Sequence, residues 1–411
     1  MKRRVVITGL GIISPVGNDV KSFWESLCAG KSGIDKITHF DTSDYTTKIA
    51  GEVKDFDPSK YLTTKEARRS DGFVQFAVAA STLAVEDAGL NLSSMDLNRM
   101  GSIVGSGIGG LSTIESQHKV LLEKGPSRVT PFLIPMLIVN MASGMIAIKL
   151  GLKGPNSCSV TACASSNHSI GEAFRIIQHD YADSMLAGGS EAAIWPLGVG
   201  GFSAAKALST RNDEPKKASR PFDKDRDGFV MSEGSAIVIL EEYERAKKRG
   251  ARIYAEVIGY GMSCDAYHMT APDPDGDGAI RCLQAVLKDS KINPEDVDYI
   301  NAHGTSTQLN DKIETAAIKK VFGSHANKLA ISSTKSIVGH LLGAAGGAEL
   351  AASALSILNG ILTPTINYET PDPECDLDYV PNEARKQDVG IALSNSLGFG
   401  GHNATIAIRK I

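Results

Sequence analysis

The sequence predicts an α/β fold built twice from one plan. Three observations predict it: strand-like and helix-like segments alternate along the chain, their order recurs in the second half, and each half places a helix rich in small residues after its third strand. In the first half, strands are expected at Arg4–Gly9, Met100–Ser106, Asn156–Thr161, Ser184–Glu191 and Ser235–Glu241. In the second they are expected at Arg252–Tyr260, Val297–Ala302, Ala330–Thr334, Val389–Asn395 and Ala404–Arg409. The Asn156–Thr161 run reads as a short buried strand. After it, Ser166 to Tyr181 repeats Ile170, Ala173, Phe174, Ile177 and Tyr181 at helical spacing. Each fourth strand ends in a polar pair before a glycine-rich loop, Gly-Gly-Ser-Glu191 in one half and Ser-Asn-Ser-Leu-Gly-Phe-Gly-Gly401 in the other. A recurrence this long indicates a duplicated fold, outside the period of solenoid repeats. The halves are expected at 1–250 and 251–411, with the boundary near Lys248–Ala251. Residues 34–96 and 112–155 exceed what crossovers need, so they are expected to cap the first half.

A chain of 411 residues with 42% hydrophobic composition can bury a large core. A net charge of −4 argues against a broadly basic nucleic-acid binder. The six cysteines (28, 158, 163, 264, 282 and 375) form no C-x-x-C pair, so reduced thiols in a cytosol-like compartment are expected. Met1-Lys-Arg-Arg-Val-Val-Ile-Thr-Gly9 runs directly into a strand, without the apolar stretch of a signal peptide. The most apolar helical segment, 340–360, is crowded with Gly and Ala and carries Glu349, which fits a buried helix better than a membrane span.

The chemistry concentrates at four turns. Cys163, in Ser159-Val-Thr-Ala-Cys-Ala-Ser-Ser166, lies between a strand and a helix. Unpaired N–H groups and the helix dipole there favour thiolate. A small buried hydrophobe is the other fate of such a cysteine. His303, in Asn301-Ala-His-Gly-Thr-Ser-Thr307, leaves a strand at a turn; it suits proton transfer or a backbone-satisfied turn equally. Ser332 to Gly346 supplies Lys335 and His340, the lysine being either a fixed counter-charge or a cap. Gly398-Phe-Gly-Gly-His-Asn403 offers backbone N–H groups near Phe399 for an oxyanion hole. Gly9-Leu-Gly11 lacks the third glycine of a dinucleotide loop, since position 14 is serine. Asp273-Pro-Asp-Gly-Asp-Gly278 opens like a calcium loop but has Gln284 at its twelfth position. Cys163, His303 and His340 are plausible zinc ligand types, with no motif spacing to support a zinc site.

Together, Thr-Ala-Cys-Ala-Ser-Ser, Asn-Ala-His-Gly-Thr-Ser-Thr and Thr-Lys-Ser-Ile-Val-Gly-His-Leu-Leu-Gly-Ala-Ala-Gly are long and specific. The chain resembles the β-ketoacyl-[acyl-carrier-protein] synthases of the thiolase superfamily, in particular the type II synthase of dissociated fatty acid synthesis. The resemblance covers essentially the whole chain. It implies a thiolase-like fold, two βαβαβαββ halves in a five-layer α-β-α-β-α sandwich. It also implies a decarboxylating condensation of acyl- with malonyl-carrier protein that needs no cofactor. Cys163 would take the acyl group, His303 and His340 would stabilise the malonyl-derived enolate, and Lys335 would support them, with Glu349 beside it. Ile108, Phe202, Thr270, Thr305, Thr307, Phe399 and Gly400 match positions that hold the acyl chain, the pantetheine arm or the gate. The segment 261–270 matches a mobile loop facing the gate, and His402 replaces a threonine common in bacterial members.

Acyl carrier protein is the implied partner, docking on Lys65, Arg68, Arg69, Arg128 and Lys206. The first three stand at i, i+3 and i+4, on one helix face; a solvated basic face is the alternative. The resemblance further implies a homodimer with the 156–164 segment near its interface, and a monovalent cation near Asn301, Glu349 and Asn395. Neither nucleic acid nor membrane is expected as a partner. The competing readings are a degradative thiolase, a polyketide-type ketosynthase, a non-catalytic chain-length subunit and a cysteine hydrolase. A degradative thiolase needs a second cysteine in the C-terminal loop, and residues 398–403 have none. A chain-length subunit loses the nucleophile, which is present here. A hydrolase has no use for the second histidine or the lysine.

Overall fold

The computed structural model describes residues 2–411. Ten strands carry the architecture: β1 (Val5–Ile13), β2 (Met100–Gly105), β3 (Asn156–Ser157), β4 (Ser184–Glu191) and β5 (Gly234–Glu242) in the first half. β6 (Ala255–Cys264), β7 (Tyr299–Asn301), β8 (Ala330–Ser332), β9 (Ile391–Gly398) and β10 (His402–Arg409) make the second. They pair in the order β8-β7-β9-β10-β6-β1-β5-β4-β2-β3. Read outward from the β1–β6 seam, both halves follow the order first, fifth, fourth, second, third. Both are antiparallel over the first two pairings and parallel over the last two. The seam itself is a short antiparallel pairing of Val5, Val6 and Ile7 with Val257, Glu256 and Ala255.

Six helices complete five layers. α1 (Gly72–Asp87) and α2 (Met141–Leu150) cover the outer face of the first sheet, and α4 (Asp277–Ser290) with α5 (Gln308–Phe322) cover the second. Between the sheets lie α3 (Ser165–Gln178) and α6 (Ala345–Asn359), each touching strands of both halves. α6 is buried almost along its whole length, as a helix without a polar face must be. Its small residues permit this: a Cβ on Gly347 would stand 2.5 Å from the carbonyl oxygen of Ala236.

Three local expectations change. The third strand of the first half is only β3, at the sheet edge, where Asn156 and Ser157 are exposed and Val160 stands 53% exposed. An edge strand has one side unpaired, so the expected burial is missing. Tyr181 is exposed because α3 ends at Gln178. The stretches expected to form a cap contribute α1 and α2 to the outer layer, while the helices Leu111–Lys124 and Leu133–Leu137 lie outside the layered core.

Candidate active site

The nucleophile turn is built by strain and hydrogen bonds. Ala162 takes φ of 49°, a left-handed conformation costly for a residue with a Cβ. It turns the chain from the β3 edge into the single 3₁₀ turn Ala162–Ala164 that leads into α3. Ser165 braces this turn: its Oγ accepts from the Thr161 N–H at 2.9 Å and donates to the Ala162 carbonyl at 2.7 Å. Gly398 packs against the turn so closely that a Cβ there would lie 2.7 Å from the Thr161 oxygen. The N–H of Phe399, next in the chain, faces Cys163 closely enough to favour its thiolate form. The N–H groups of Cys163 and Phe399 therefore converge beside the sulfur, as an oxyanion hole requires.

The second half supplies the remaining groups. Cys163, His303 and His340 are all buried, with one donor atom of each mutually within 4.8 Å. The two imidazoles stand with ring centres 5.4 Å apart and planes at 84°. His340 Nδ1 accepts the Leu342 N–H at 3.2 Å, so its proton sits on Nε2. His303 Nδ1 lies 3.3 Å from the Lys335 ammonium, which can only donate, and its proton is likewise on Nε2. Lys335 is itself buried and paired with Glu349. Burial, with Lys335 next to each, holds both imidazoles well below the usual histidine range, so they stay neutral hydrogen-bond donors. The His303 and Gly304 N–H groups each donate to Glu314 at 2.8 Å, which fixes that loop. The Lys335 ammonium adds fixed positive charge beside the two imidazoles, and the arrangement suits anion stabilisation.

The expected thiolate bias at Cys163 meets an opposing effect. Burial pushes its thiol up to about 11, and the positive charge of Lys335 and the Phe399 N–H only partly offset the lost solvation. The helix proper starts two residues later, at Ser165.

One cavity of about 400 Å³ joins these groups. Cys163, His303, His340 and Phe399 line it, together with Ile108, Phe202, Thr270, Thr305, Thr307 and Lys206. Lys335 lies behind His303, and exposed Gly400 belongs to the loop at the mouth. That loop is tied to 261–270: Gly400 N–H donates to the Met269 carbonyl at 2.8 Å, and Asp265 N–H to the Gly401 carbonyl at 2.9 Å. Gly400 and Gly401 use φ of 84° and 72°, whereas Gly398 is needed for close approach. Asn403 donates to Asp265 Oδ1 at 2.6 Å, and both residues border the cavity. His402 stands edge-on to buried His168, ring centres 6.5 Å apart.

Most other expected groups fall outside the cavity. Lys65, Arg68, Arg69 and Arg128 are exposed, as is Lys206 at the mouth. The helix carrying Lys65 is a single turn, Thr64–Ala67, so Arg69 lies beyond it and stacks on Phe132, correcting the one-face expectation. Asn301 Oδ1 and Glu349 Oε2 are buried with no partner among the described residues, while Asn395 Oδ1 accepts from Thr405. Glu314 and the buried Arg226–Asp311–Asp372 group, which ties the 305–308 loop to the segment around 223–226, escaped the sequence reading. Their only sequence signal is an acidic residue set among apolar positions of α5.

A duplicated five-layer α/β fold, a cysteine on a strained turn before a central helix, and two neutral histidines donating into one cavity define a thiolase-fold condensing enzyme. Comparison with known proteins carries this to the family. Residues 2–246 match the family model "Beta-ketoacyl synthase, N-terminal domain", and residues 254–369 match "Beta-ketoacyl synthase, C-terminal domain". The chain belongs to the β-ketoacyl synthase family. It is 58% identical over 409 residues to the 3-oxoacyl-[acyl-carrier-protein] synthase 2 of Synechocystis sp., covering 100% of this chain and 98% of the relative. The enzyme of that name from Coxiella burnetii is 57% identical, with 100% and 99% covered. Among solved structures, a β-ketoacyl synthase from Burkholderia phymatum aligns over 100% of both chains, with a TM-score of 0.93 and 35% identity. A type II polyketide ketosynthase in complex with its acyl-carrier protein aligns over 100% of both chains as well, at 0.91 and 38%.

Proposed function

We propose that the protein elongates fatty acyl chains by condensing acyl-carrier protein with malonyl-carrier protein to give 3-oxoacyl-carrier protein, carbon dioxide and free carrier. The observation that carries this reading is the pair of neutral imidazoles, each with its Nδ1 engaged by a partner and one ring nitrogen within 4.8 Å of the Cys163 sulfur. In the first step Cys163 attacks the acyl thioester carbonyl, whose oxyanion rests on the Cys163 and Phe399 N–H groups. The thiol proton leaves with the carrier's thiol, so the exchange consumes no base, which suits a thiol held protonated at rest. In the second step the malonyl thioester oxygen accepts from His303 and His340 while the carboxylate leaves as carbon dioxide. The two donors stabilise the enolate, and neither is acidic enough to quench its carbon. That carbon attacks the acyl-Cys163 carbonyl, the C–S bond breaks, and the thiolate takes up one proton.

In this reading Ile108 and Phe202 hold the acyl chain, Thr270, Thr305 and Thr307 contact the pantetheine arm, and Phe399 with Gly400 forms the gate. The bonds between the gate loop and 261–270 support a closed resting gate. Lys65, Arg68, Arg69, Arg128 and Lys206 would receive an acidic carrier. Residues 1–250 and 251–411 form the two thiolase-like halves. The orphaned oxygens of Asn301 and Glu349 fit a monovalent cation, with Asn395 nearby. A homodimer would cover the β3 edge and the exposed Ile134, Ile138 and Val160. No helix among the described residues is long and apolar enough to cross a membrane, and a cytoplasmic location accords with this.

A polyketide-type ketosynthase is the second reading, favoured by the structural likeness at 38% identity. The deciding experiment is carbon dioxide release and product mass with malonyl-carrier protein and a panel of acyl-carrier proteins from four to sixteen carbons. A single saturated or unsaturated elongation supports the first reading; repeated extension without reduction supports the second. Neither product would defeat both.

A further inference from the structure

The polar end of the fourth strand in the first half, Gly-Gly-Ser-Glu191, places a carboxylate deep inside the molecule. Glu191 is 0% exposed and forms no ion pair among the described residues. Four donors surround it: Ser106 Oγ at 2.7 Å and the Ile108 N–H at 3.2 Å on Oε1, the Gly107 N–H at 2.8 Å and the Gly343 N–H at 3.0 Å on Oε2. Ser106 Oγ accepts the Gly109 N–H at 3.1 Å and is placed to give its own proton to Glu191. Three of the four partners are backbone N–H groups that can only donate, which favours the carboxylate form. Burial pushes its pKa up and these donors oppose the shift.

The bonds converge on one loop. Ser106, Gly107 and Ile108 follow β2, and Gly107 and Ile108 line the reaction cavity. Ile108 also packs on an apolar cluster that includes Ile194, Val199 and Leu342, so it separates the cavity from apolar ground beyond it. The fit leaves no slack: a Cβ on Gly343 would lie 2.3 Å from the Gly107 nitrogen and 2.8 Å from Glu191 Oε2.

We propose that Glu191 is a specificity-determining positioning residue, a latch that holds the 106–108 loop so that Ile108 limits the length of acyl chain the cavity accepts. The proposal rests on the acyl-chain reading of the cavity given above. In Glu191→Gln the NH₂ faces at least one N–H donor, that of Ile108, even when it is turned toward Ser106 Oγ, and part of the latch is lost. The loop then yields more readily to a long chain. A change at the Leu342–Ala344 turn that disturbed His340 would slow all lengths alike and would cancel in a ratio.

The test is kcat/KM for hexanoyl-, dodecanoyl- and hexadecanoyl-carrier protein with malonyl-carrier protein, for the full chain and its Glu191→Gln, Ser106→Ala and Ile108→Ala variants, with a melting curve for each. The sixteen-to-six carbon ratio is expected to rise ~5-fold or more in Glu191→Gln, the worth of about one hydrogen bond, and by less in Ser106→Ala. A common fall at all lengths would overturn the latch. If Glu191→Gln does not fold, an unchanged ratio in Ser106→Ala overturns it. A ratio that moves in Ile108→Ala alone overturns the latch and leaves the acyl-pocket reading standing. A ratio unmoved even there defeats both.

Discussion

The two halves present the same turn at the same place, and only one of them reacts. Ala162-Cys163-Ala164 before α3 and Leu342-Gly343-Ala344 before α6 are both single 3₁₀ turns opening on a left-handed residue, with φ of 49° and 51°. Each is met by the end of the fourth strand of the opposite half: Gly398 packs on the first turn with the Phe399 N–H facing Cys163, and Glu191 accepts from Gly343. The approach differs. Cys158 to Thr161 lead into the first turn, whereas Ser333 to Leu341 lead into the second and add the short helix Lys335–Val338 and then His340. Duplication thus delivers the geometry twice. What distinguishes a nucleophile from its counterpart is one side chain, the sign of the group facing it and a longer lead-in carrying the cationic and imidazole groups.

The division of labour that follows is open to direct attack. The largest effect is expected for Cys163→Ala, which removes the acyl-enzyme altogether. Condensation should fall at least ~10³-fold, and mass spectrometry should find no acyl adduct. Persistent condensation would erase the distinction between the turns.

Next come His303→Ala and His340→Ala. Each should lower condensation ~10²–10⁴-fold while the protein still acylates at Cys163, visible as an intact acyl adduct. Loss of acylation in step with condensation would show that the halves do not divide the steps. Both histidines are held below the ordinary value, so the folded state resists protonation that the unfolded chain accepts. Their contribution to stability is present above about pH 6.5 and is lost as pH falls below it, by up to ~1.4 kcal/mol per pH unit for each group. The His303→Gln/His340→Gln variant should therefore lose less melting temperature between pH 7.5 and 5.5 than the parent.

A smaller effect is expected from the ion pair behind the site. Lys335→Met strands Glu349 as a buried charge and should cost ~3–5 kcal/mol in denaturant unfolding, and Glu349→Leu added to it should restore much of that loss without restoring activity. Equal stability of the single and double variants would mean that Lys335 is not paired in solution.

The smallest effect belongs to the first half's surface. Lys65→Glu with Arg68→Glu should raise KM for both carrier substrates several-fold with little change in kcat, and the difference should shrink as salt increases. A salt-independent kcat defect would remove these residues from docking.

Much of this was readable in the chain because it depends on local pattern. Short apolar runs place nine of the ten strands, although β1 and β6 each run four residues past the expected end. Cys163, His303, Lys335 and His340 stand at strand exits whose glycine and serine neighbours signal turns. The burial of α6 follows from its Gly and Ala content. What resisted reading depends on three-dimensional context. The exposure of β3 comes from its position at an edge, which its own residues do not encode. The raised pKa of Cys163 comes from the depth of the turn, and the helix-end argument carries no measure of desolvation. Glu314 and Asp311 sit on α5 like ordinary surface acids, and only the loop wrapped over them makes them its anchors.

The β1–β6 seam carries a historical consequence. It is a short antiparallel pairing between the first strands of two identically ordered sheets, the contact that two copies of a half-length ancestor would form across a two-fold axis. In such a pair every substitution appears twice, so both active turns must share one sequence. Joining the two copies in one chain removes that constraint, so a thiol can stand at position 163 while glycine stands at 343. One molecule can then hold an acyl group and activate its extender at adjacent points, which two identical copies with one shared sequence could not do.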